Sequence, residues 1–343
     1  MSFPKISDED FEQIFMHVIN LSDKDNTYKF AFARFLLEYS KKETETHVEF
    51  STIAEYFLKY YWPQICKYKL RQNPQFKKRA KIITILEKEF DKSKNYPQPY
   101  DKIEQNEPVK IQKCRKDIEK RCFNDVTYAF QNVETDKLIE DQVPKFFEYK
   151  ISRFRPRRGR KQRLPIIDRS YGVNLNPDAM SFFKRHDVLL NKAVTLEWAR
   201  FLEKLNRGVP ELISKIEGEI PPRDLSTERT VLKRRFDNCF YCENPLSSQP
   251  RKIHVEHVIP FAFIAENKLW NLTLACQQCN LKKGGSLPTK KFLDRLIERN
   301  KDYRGIIPLL EKSLTELGSR FETIILDRYN DAKSHGFMPR SIS

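Results

Sequence analysis

The stretch CFYCENPLSSQPRKIHVEHVIPFAFIAENKLWNLTLACQQCN, residues 239–280, combines two cysteine pairs with a segment of β-strand character that carries ionisable side chains. Within it, IHVEHVIPFAF at residues 253–263 contains His254, Glu256 and His257. A strand that serves only for packing does not need two imidazoles and a carboxylate at this spacing. The stretch therefore predicts a site for chemistry or for metal binding.

The two cysteine pairs share the C-x-x-C spacing, in which each pair forms a knuckle that presents two thiolates to one metal ion. The four residues are Cys239, Cys242, Cys276 and Cys279. Two such knuckles complete a tetrahedral set of ligands, with each sulfur about 2.3 Å from zinc. The spacing predicts a structural zinc site, and the alternative is a redox-active pair, for which one C-x-x-C would suffice.

The composition favours a folded chain with a polyanionic partner. The chain has 343 residues, of which 39% are hydrophobic and 12% aromatic, which is enough to build a core. Its formal net charge is +16 and its pI is about 9.4, and a charge of this size on a folded chain points first to nucleic acid. No secretory signal or apolar run of membrane-spanning length is apparent, so we expect a cytoplasmic protein without membrane association.

The periodicity of the chain predicts an α+β protein in four parts. A helical N-terminal domain is expected over residues 1–92, and a mixed β and helical region that binds DNA is expected over 103–207. The stretches VTYAFQNV (126–133) and VPKFFEYKI (143–151) give that middle region its β-rich character. A module over 226–288 and a C-terminal helical cap over 289–343 follow.

A strongly basic stretch lies in the middle region. RFRPRRGRKQR, residues 153–163, contains seven basic side chains and no acidic one. They are Arg153, Arg155, Arg157, Arg158, Arg160, Lys161 and Arg163. Seven like charges repel one another unless an anion neutralises them, so phosphate contact is predicted. The alternative is a solvated loop or hairpin tip.

The segments EHVIP (256–260), NLTLACQQCN (271–280) and LKKGG (281–285) together resemble the HNH nucleases, in the branch with a four-cysteine zinc clamp. The resemblance covers about a sixth of the chain and rests on the combination of these segments. It implies a ββα-metal fold for the module. The third residue of the motif is Asn280 rather than histidine, and the first carboxylate is Glu256 where aspartate is more usual.

The resemblance also implies a role for each residue of the motif. His257 is expected to act as the general base, and Glu256 and Asn280 as ligands of a catalytic Mg²⁺ or Mn²⁺ ion. Asn271 is expected to tie the loop between the strands and to orient the base. His254 shares a strand face with Glu256 and is a further candidate ligand, the alternative being a partner for backbone or phosphate.

Lys282 and Lys283 follow the second knuckle and are predicted to contact phosphate, although lysines also suit a solvated helix end. The resulting prediction is a metal-dependent endonuclease that acts on double-stranded DNA, in restriction or anti-phage defence. A second copy of the chain or a defence-system partner protein is a further expectation. Two alternatives remain: a zinc-ribbon DNA-binding protein without catalysis, and a nuclease that cleaves RNA.

Overall fold

The computed structural model describes residues 3, 5–20, 25–74, 79–91, 96, 98–131, 146–156, 163–218, 224–248 and 252–342. Contacts within the chain group into two compact units. The first comprises Met1–Cys66, Arg71–Asp91 and Gln98–Leu205. The second comprises Lys67–Leu70, Lys92–Pro97 and Asn206–Ser343. The division into four parts made from the sequence remains a prediction.

The first unit is built mainly from helices. Its helices are α1 (Asp8–Asn20), α2 (Tyr28–Lys42), α3 (Phe50–Trp62), α4 (Lys81–Glu89), α5 (Tyr100–Asn106), α6 (Pro108–Arg121), α7 (Phe123–Gln131) and α8 (Pro177–Leu205). Aromatic side chains fill the space between them because helical spacing places them on the buried faces. Phe30 of α2, for example, stacks on Trp198 of α8 with ring centroids 6.1 Å apart.

The described residues of the first unit also form two small sheets. The strands are β1 (His47–Val48), β2 (Phe147–Tyr149), β3 (Ile151–Pro156), β4 (Arg163–Ile167) and β5 (Val173–Leu175). β5 lies between β1 and β2 and is antiparallel to both. β3 and β4 form a separate two-stranded antiparallel ribbon, which contains the two ends of the basic stretch.

The prediction of β structure over residues 126–133 is wrong where the structure describes this stretch. Residues 126–131 belong to α7, and residues 132 and 133 lie outside the described residues. The side chains of Phe123, Val126, Thr127 and Phe130 are buried, at the spacing of one face of a helix. The content of β-branched and aromatic residues suggested a strand, but the positions of the buried residues follow the helical period.

The second unit contains the two cysteine pairs. Its elements are α9 (Leu212–Glu217), α10 (Ser226–Lys233), β6 (Ile253–His257), α11 (Phe261–Ile264), β7 (Leu272–Cys276), α12 (Gln277–Lys283), β8 (Leu287–Pro288), α13 (Lys290–Asp302), α14 (Pro308–Leu317), α15 (Phe321–Ser334) and β9 (Pro339–Arg340). β6 and β7 are antiparallel, and α12 follows β7 directly, which gives the order ββα. The chain is thus a mixture of helices and small sheets, as expected.

No helix among the described residues combines the length and the apolar character that a membrane span requires.

Candidate nuclease site

The first cysteine knuckle is a tight turn whose backbone groups bond one another. Cys239 donates its N–H to the carbonyl of Asn244, and Glu243 donates its N–H to the carbonyl of Cys239, both at 2.9 Å. Glu243 adopts a left-handed conformation with φ of 61°, which reverses the chain. Phe240 donates its N–H to the carbonyl of Leu274, so the turn is fixed against β7.

The second knuckle joins β7 to α12. Cys276 ends the strand, and Cys279 lies in the first turn of the helix. The Sγ atoms of all four cysteines lie within 4.8 Å of one another, and those of Cys242 and Cys276 are 3.9 Å apart. Sulfurs at the corners of a zinc tetrahedron are about 3.8 Å apart when each Zn–S bond is about 2.3 Å. The four cysteines therefore lie close enough to hold one zinc ion.

The electrostatics of the cluster also favour a bound cation. Burial and the neighbouring sulfurs of Cys276 and Cys239 raise the pKa of the Cys279 thiol. Four thiolates this close would repel one another, and a divalent cation removes that repulsion and keeps the thiols deprotonated. The backbone N–H of Cys276 also points at Cys239 Sγ, 3.3 Å away, as a donor to a thiolate would.

His257 is the last residue of β6 and is buried, with 4% of its surface exposed. Its Nε2 lies 3.1 Å from Oδ1 of Asn267, and its ring centroid lies 5.0 Å from that of Phe261. The tautomer that suits an amide oxygen at this position has its hydrogen on Nε2, and on that ground we assign Nδ1 as the basic nitrogen. Asn267 was not identified from the sequence, because it belongs to none of the recognised segments.

Asn271 is fully buried behind this strand end. Its Oδ1 accepts the N–H of Ile259 and its Nδ2 donates to the carbonyl of Ile259, both at 2.8 Å. Its backbone carbonyl accepts the N–H of Val258 at 2.9 Å. The side chain thus satisfies the backbone where the chain leaves β6, immediately after His257.

Glu256 faces α12. Lys283 Nζ donates to Glu256 Oε1 at 2.6 Å, and the exposed fractions of the two side chains are 0% for the lysine and 15% for the glutamate. Lys283 is buried and Lys282 is exposed, so a solvated helix end does not describe Lys283, and the phosphate contact of both lysines stays a prediction. The helix ends at Lys283 because Gly284, with φ of 52° and ψ of −136°, adopts a conformation that favours glycine.

His254 and Asn280 lie near the ends of the same two elements. His254 is half-buried, lies opposite Ala275 in the sheet and shares a strand face with Glu256. Asn280 is half-buried and precedes Lys283 by three residues on α12, so the two side chains lie on the same face of the helix. Among the described residues, the four cysteines are the one group of three or more His, Cys, Asp or Glu side chains with all ligand atoms within 4.8 Å.

The chemistry of the remaining donors still fits a hard divalent ion. Glu256 offers a carboxylate, and Asn280 on the facing helix offers an amide oxygen, which are the donor types that Mg²⁺ and Mn²⁺ prefer. Lys283 engages one oxygen of that carboxylate. The other carboxylate oxygen of Glu256 accepts no hydrogen bond from the described part of the chain. Glu256 therefore keeps one oxygen that can bind a metal ion.

Three of the seven basic residues of the stretch 153–163 lie in the described part of the ribbon in the first unit. Arg153 and Arg155 are exposed on β3, and Arg163 begins β4. Arg157, Arg158, Arg160 and Lys161 lie outside the described residues. Arg155 pairs with Asp125 at 3.0 Å. The side chain of Asn124 fixes the base of the ribbon, donating to the carbonyl of Pro165 and accepting the N–H of Ile167 at 2.9 Å each.

Breaking the pair of Glu256 and Lys283 should destabilise the second unit. We expect Lys283→Met or Glu256→Gln alone to lower the free energy of unfolding by about 3 kcal/mol, because each leaves one buried partner unpaired. The double variant should lose less than the sum, by about 1–3 kcal/mol. Urea unfolding of the zinc-loaded protein measures this coupling, with the exposed Lys282→Met as control. Additive losses would contradict the pairing.

Family models match two parts of the chain. A model described as domain of unknown function DUF8808 matches residues 8–215, which is more than half of the chain. The chain belongs to the DUF8808 family. Beyond that DUF8808 match, an HNH endonuclease model matches residues 239–289, the stretch that contains the four cysteines, β6, β7 and α12. This second match supports nuclease activity in general, and with it nucleic-acid binding.

No curated protein and no solved structure matches the chain.

Proposed function

We propose that this protein is a metal-dependent endonuclease that hydrolyses DNA phosphodiester bonds at a site formed by β6, β7 and α12. The observation that carries the proposal is the position of His257, a buried imidazole at the end of β6 with one nitrogen fixed by Asn267. The preceding residue, Glu256, supplies a carboxylate on the opposite face of the strand. A zinc-binding or packing role alone does not require these groups.

In the proposed reaction, His257 Nδ1 takes a proton from water as the water oxygen bonds to phosphorus. The bond from phosphorus to the 3′ oxygen breaks, and that oxygen is protonated from solvent. A divalent ion, when bound, supplies positive charge to the phosphoryl and leaving oxygens. Glu256 and Asn280 would hold that ion, with His254 as a further candidate ligand. Asn267 and Asn271 keep the imidazole and the strand end in place.

The proposal is tested by incubating the purified protein with supercoiled plasmid, linear duplex and single-stranded RNA, with Mg²⁺, with Mn²⁺ and with EDTA. We expect nicking or linearisation of the plasmid that depends on the added ion. A mock purification from cells that lack the expression vector controls for contaminating nuclease. Cleavage of RNA alone would favour the RNA-cleaving alternative, and binding of duplex without cleavage under any ion would favour the zinc-ribbon alternative.

We propose that the ribbon of β3 and β4 contacts the DNA backbone. Replacing both Arg153 and Arg155 by alanine should weaken binding and make its salt dependence shallower, by about 0.9 in the slope of log K against log salt for each phosphate that the protein no longer neutralises. Arg155 should contribute less to this change in slope than Arg153, because Arg155 already pairs with Asp125. Binding titrations between low and moderate salt measure the slope.

The matched control for the ribbon removes the same charge elsewhere in the first unit. Lys116 and Lys120 are exposed on α6, so Lys116→Ala with Lys120→Ala changes the net charge equally. The control should leave the slope unchanged if the ribbon makes the contacts. If the wild type and the ribbon variant show the same salt-dependence slope, the basic stretch at residues 153–163 is better interpreted as a solvated hairpin.

A role in restriction or anti-phage defence is proposed as the biological setting. It rests on the resemblance of the HNH module, attached to a large region, to stand-alone nucleases, and a homodimer or a defence-system partner is part of the same proposal. Phage plating on cells that express the wild-type protein or His257→Ala tests it. Equal plating efficiencies would argue against a role in defence but would not contradict the proposed cleavage of DNA.

A further inference from the structure

Arg299 of α13 is a buried arginine whose partners are almost all backbone carbonyl groups. Its Nη1 donates to the carbonyl of Leu272 at 2.5 Å, and its Nη2 to those of Leu269 and Trp270 at 3.2 Å. Nη2 and Nε also donate to Oδ1 of Asn300. No carboxylate of the described residues pairs with it, so carbonyl and amide dipoles compensate the charge, together with the ring of Phe236, whose centroid lies 5.9 Å from Cζ.

Burial of a charged side chain in this position destabilises the fold unless the charge makes bonds that an apolar side chain cannot make. Desolvation disfavours a buried guanidinium, and here burial lowers the pKa of Arg299 to about 10. A leucine or methionine would fill similar space without that penalty, but it would remove the bonds that Arg299 donates to the carbonyls of Leu269, Trp270 and Leu272. The forked guanidinium is suited to bonding several carbonyls at fixed angles.

The carbonyls that Arg299 bonds lie on both sides of Asn271 in the chain. Asn300 adds a further bond, from its Nδ2 to the carbonyl of Trp270 at 2.9 Å. The backbone on both sides of Asn271 is therefore fixed to α13. The side chain of Asn271 in turn bonds both backbone groups of Ile259, two residues after His257.

We propose that Arg299 is a positioning residue for the nuclease site, which acts through Asn271 on the strand end that carries His257. Its catalytic consequence rests on the proposed function. Its structural consequence, the anchoring of residues 258–259, is measurable in protein that is not turning over.

The first readout is hydrogen exchange at the N–H groups of Val258 and Ile259, which both bond to Asn271. Arg299→Met should accelerate exchange there by roughly tenfold or more, because the turn that holds Asn271 opens locally. Arg299→Lys keeps the charge but lacks the fork, so it should restore only part of the protection. The N–H groups of Cys239 and Phe240 in the zinc knuckle should exchange as in the wild type.

The second readout separates kcat from KM for DNA cleavage. Displacement of His257 should lower kcat by roughly tenfold with KM unchanged, since an interaction made only on the way to the transition state is weakened. Lys291→Met, an exposed position on α13, is the control and should change neither readout. Zinc content should stay constant throughout the series.

Two results would overturn the proposal: exchange at Val258 and Ile259 that is unchanged in Arg299→Met, or exchange that accelerates equally throughout the second unit. If Arg299→Met does not fold, Asn300→Ala tests the same anchor by removing its bond to the Trp270 carbonyl, and the same two results overturn the proposal there. If the wild-type protein cleaves no substrate, while Arg299→Met still exchanges faster than the wild type at Val258 and Ile259 alone, the proposed function is refuted and the anchoring role is kept.

Discussion

Replacing His257 by alanine should lower the rate of DNA cleavage by about 10²–10⁴-fold, the range expected when a general base is removed. The variant should retain the same zinc content, because His257 is not one of the four predicted zinc ligands. It should still bind DNA, because His257 does not lie in the ribbon. The measurement is single-turnover cleavage of plasmid with the divalent ion in excess, together with metal analysis of the same samples.

The size of the side chain must be controlled because His257 is buried and packs against Phe261. His257→Asn removes the basic nitrogen with a smaller change in volume, so it should be as inactive as the alanine variant while melting closer to the wild type. His47→Ala, an exposed histidine on β1, should cleave normally. Cleavage by both His257 variants at the wild-type rate would remove this residue from the reaction.

Added imidazole gives a more direct test of the role of His257. The alanine variant leaves a space beside Phe261 and Asn267, and free imidazole in that space can supply the missing base. We expect recovery of part of the lost rate, with a dependence on pH that follows the neutral form of imidazole. Asn267→Ala should show an intermediate loss, because the imidazole is present but its tautomer and orientation are no longer fixed.

The sequence predicts those parts of the site whose residue types have few other uses. Two C-x-x-C pairs within a short stretch indicated one cluster, and the structure brings the four sulfurs together. The neighbouring strands were also predictable, because IHVEH at residues 253–257 stands between a turn-rich segment and a proline. Such local patterns depend only on residues that are close in the sequence.

The parts that were missed depend on contacts between residues distant in the sequence. Lys283 lies at the end of a short helix before two glycines, a pattern that suits a solvated helix end, yet it is buried against Glu256 on β6. Arg299 lies within an amphipathic helix whose many charges give no sign that this one turns inward. Lys215 is similar: burial lowers its pKa to about 7, and its Nζ bonds the carbonyl of Phe263. Single-sequence patterns do not distinguish these residues from exposed ones.

Removal of zinc should destabilise the second unit more than any of the substitutions proposed above. Zinc binding to a structural site contributes on the order of 10 kcal/mol to folding, which is as much as a domain's whole stability. The four cysteines fix the turn at 239–242 against the start of α12, and β7 lies between these two knuckles. Removal of the ion should therefore unfold the ββα arrangement, and cleavage should be lost with it.

Cys276→Ser tests this expectation without a chelator. We expect the zinc content to fall from one ion per chain towards none, and hydrogen exchange to accelerate across β6, β7 and α12, while helices of the first unit keep their protection. Cys114→Ser is the matched control, because Cys114 is a buried cysteine of α6 outside the cluster. It should retain one zinc ion per chain, even if its melting temperature falls.

The thiol chemistry of the same proteins separates zinc from the redox alternative. The chain has seven cysteines, and in the zinc-bound form the four of the cluster should react with a thiol reagent only as zinc is released. The signal of a colour reagent for free zinc should therefore rise in step with modification of those four thiols. A folded Cys276→Ser protein that keeps one zinc ion per chain would contradict the clamp. A reversible disulfide in the wild type, with no zinc bound, would favour the redox alternative, because oxidised sulfurs cannot hold the ion.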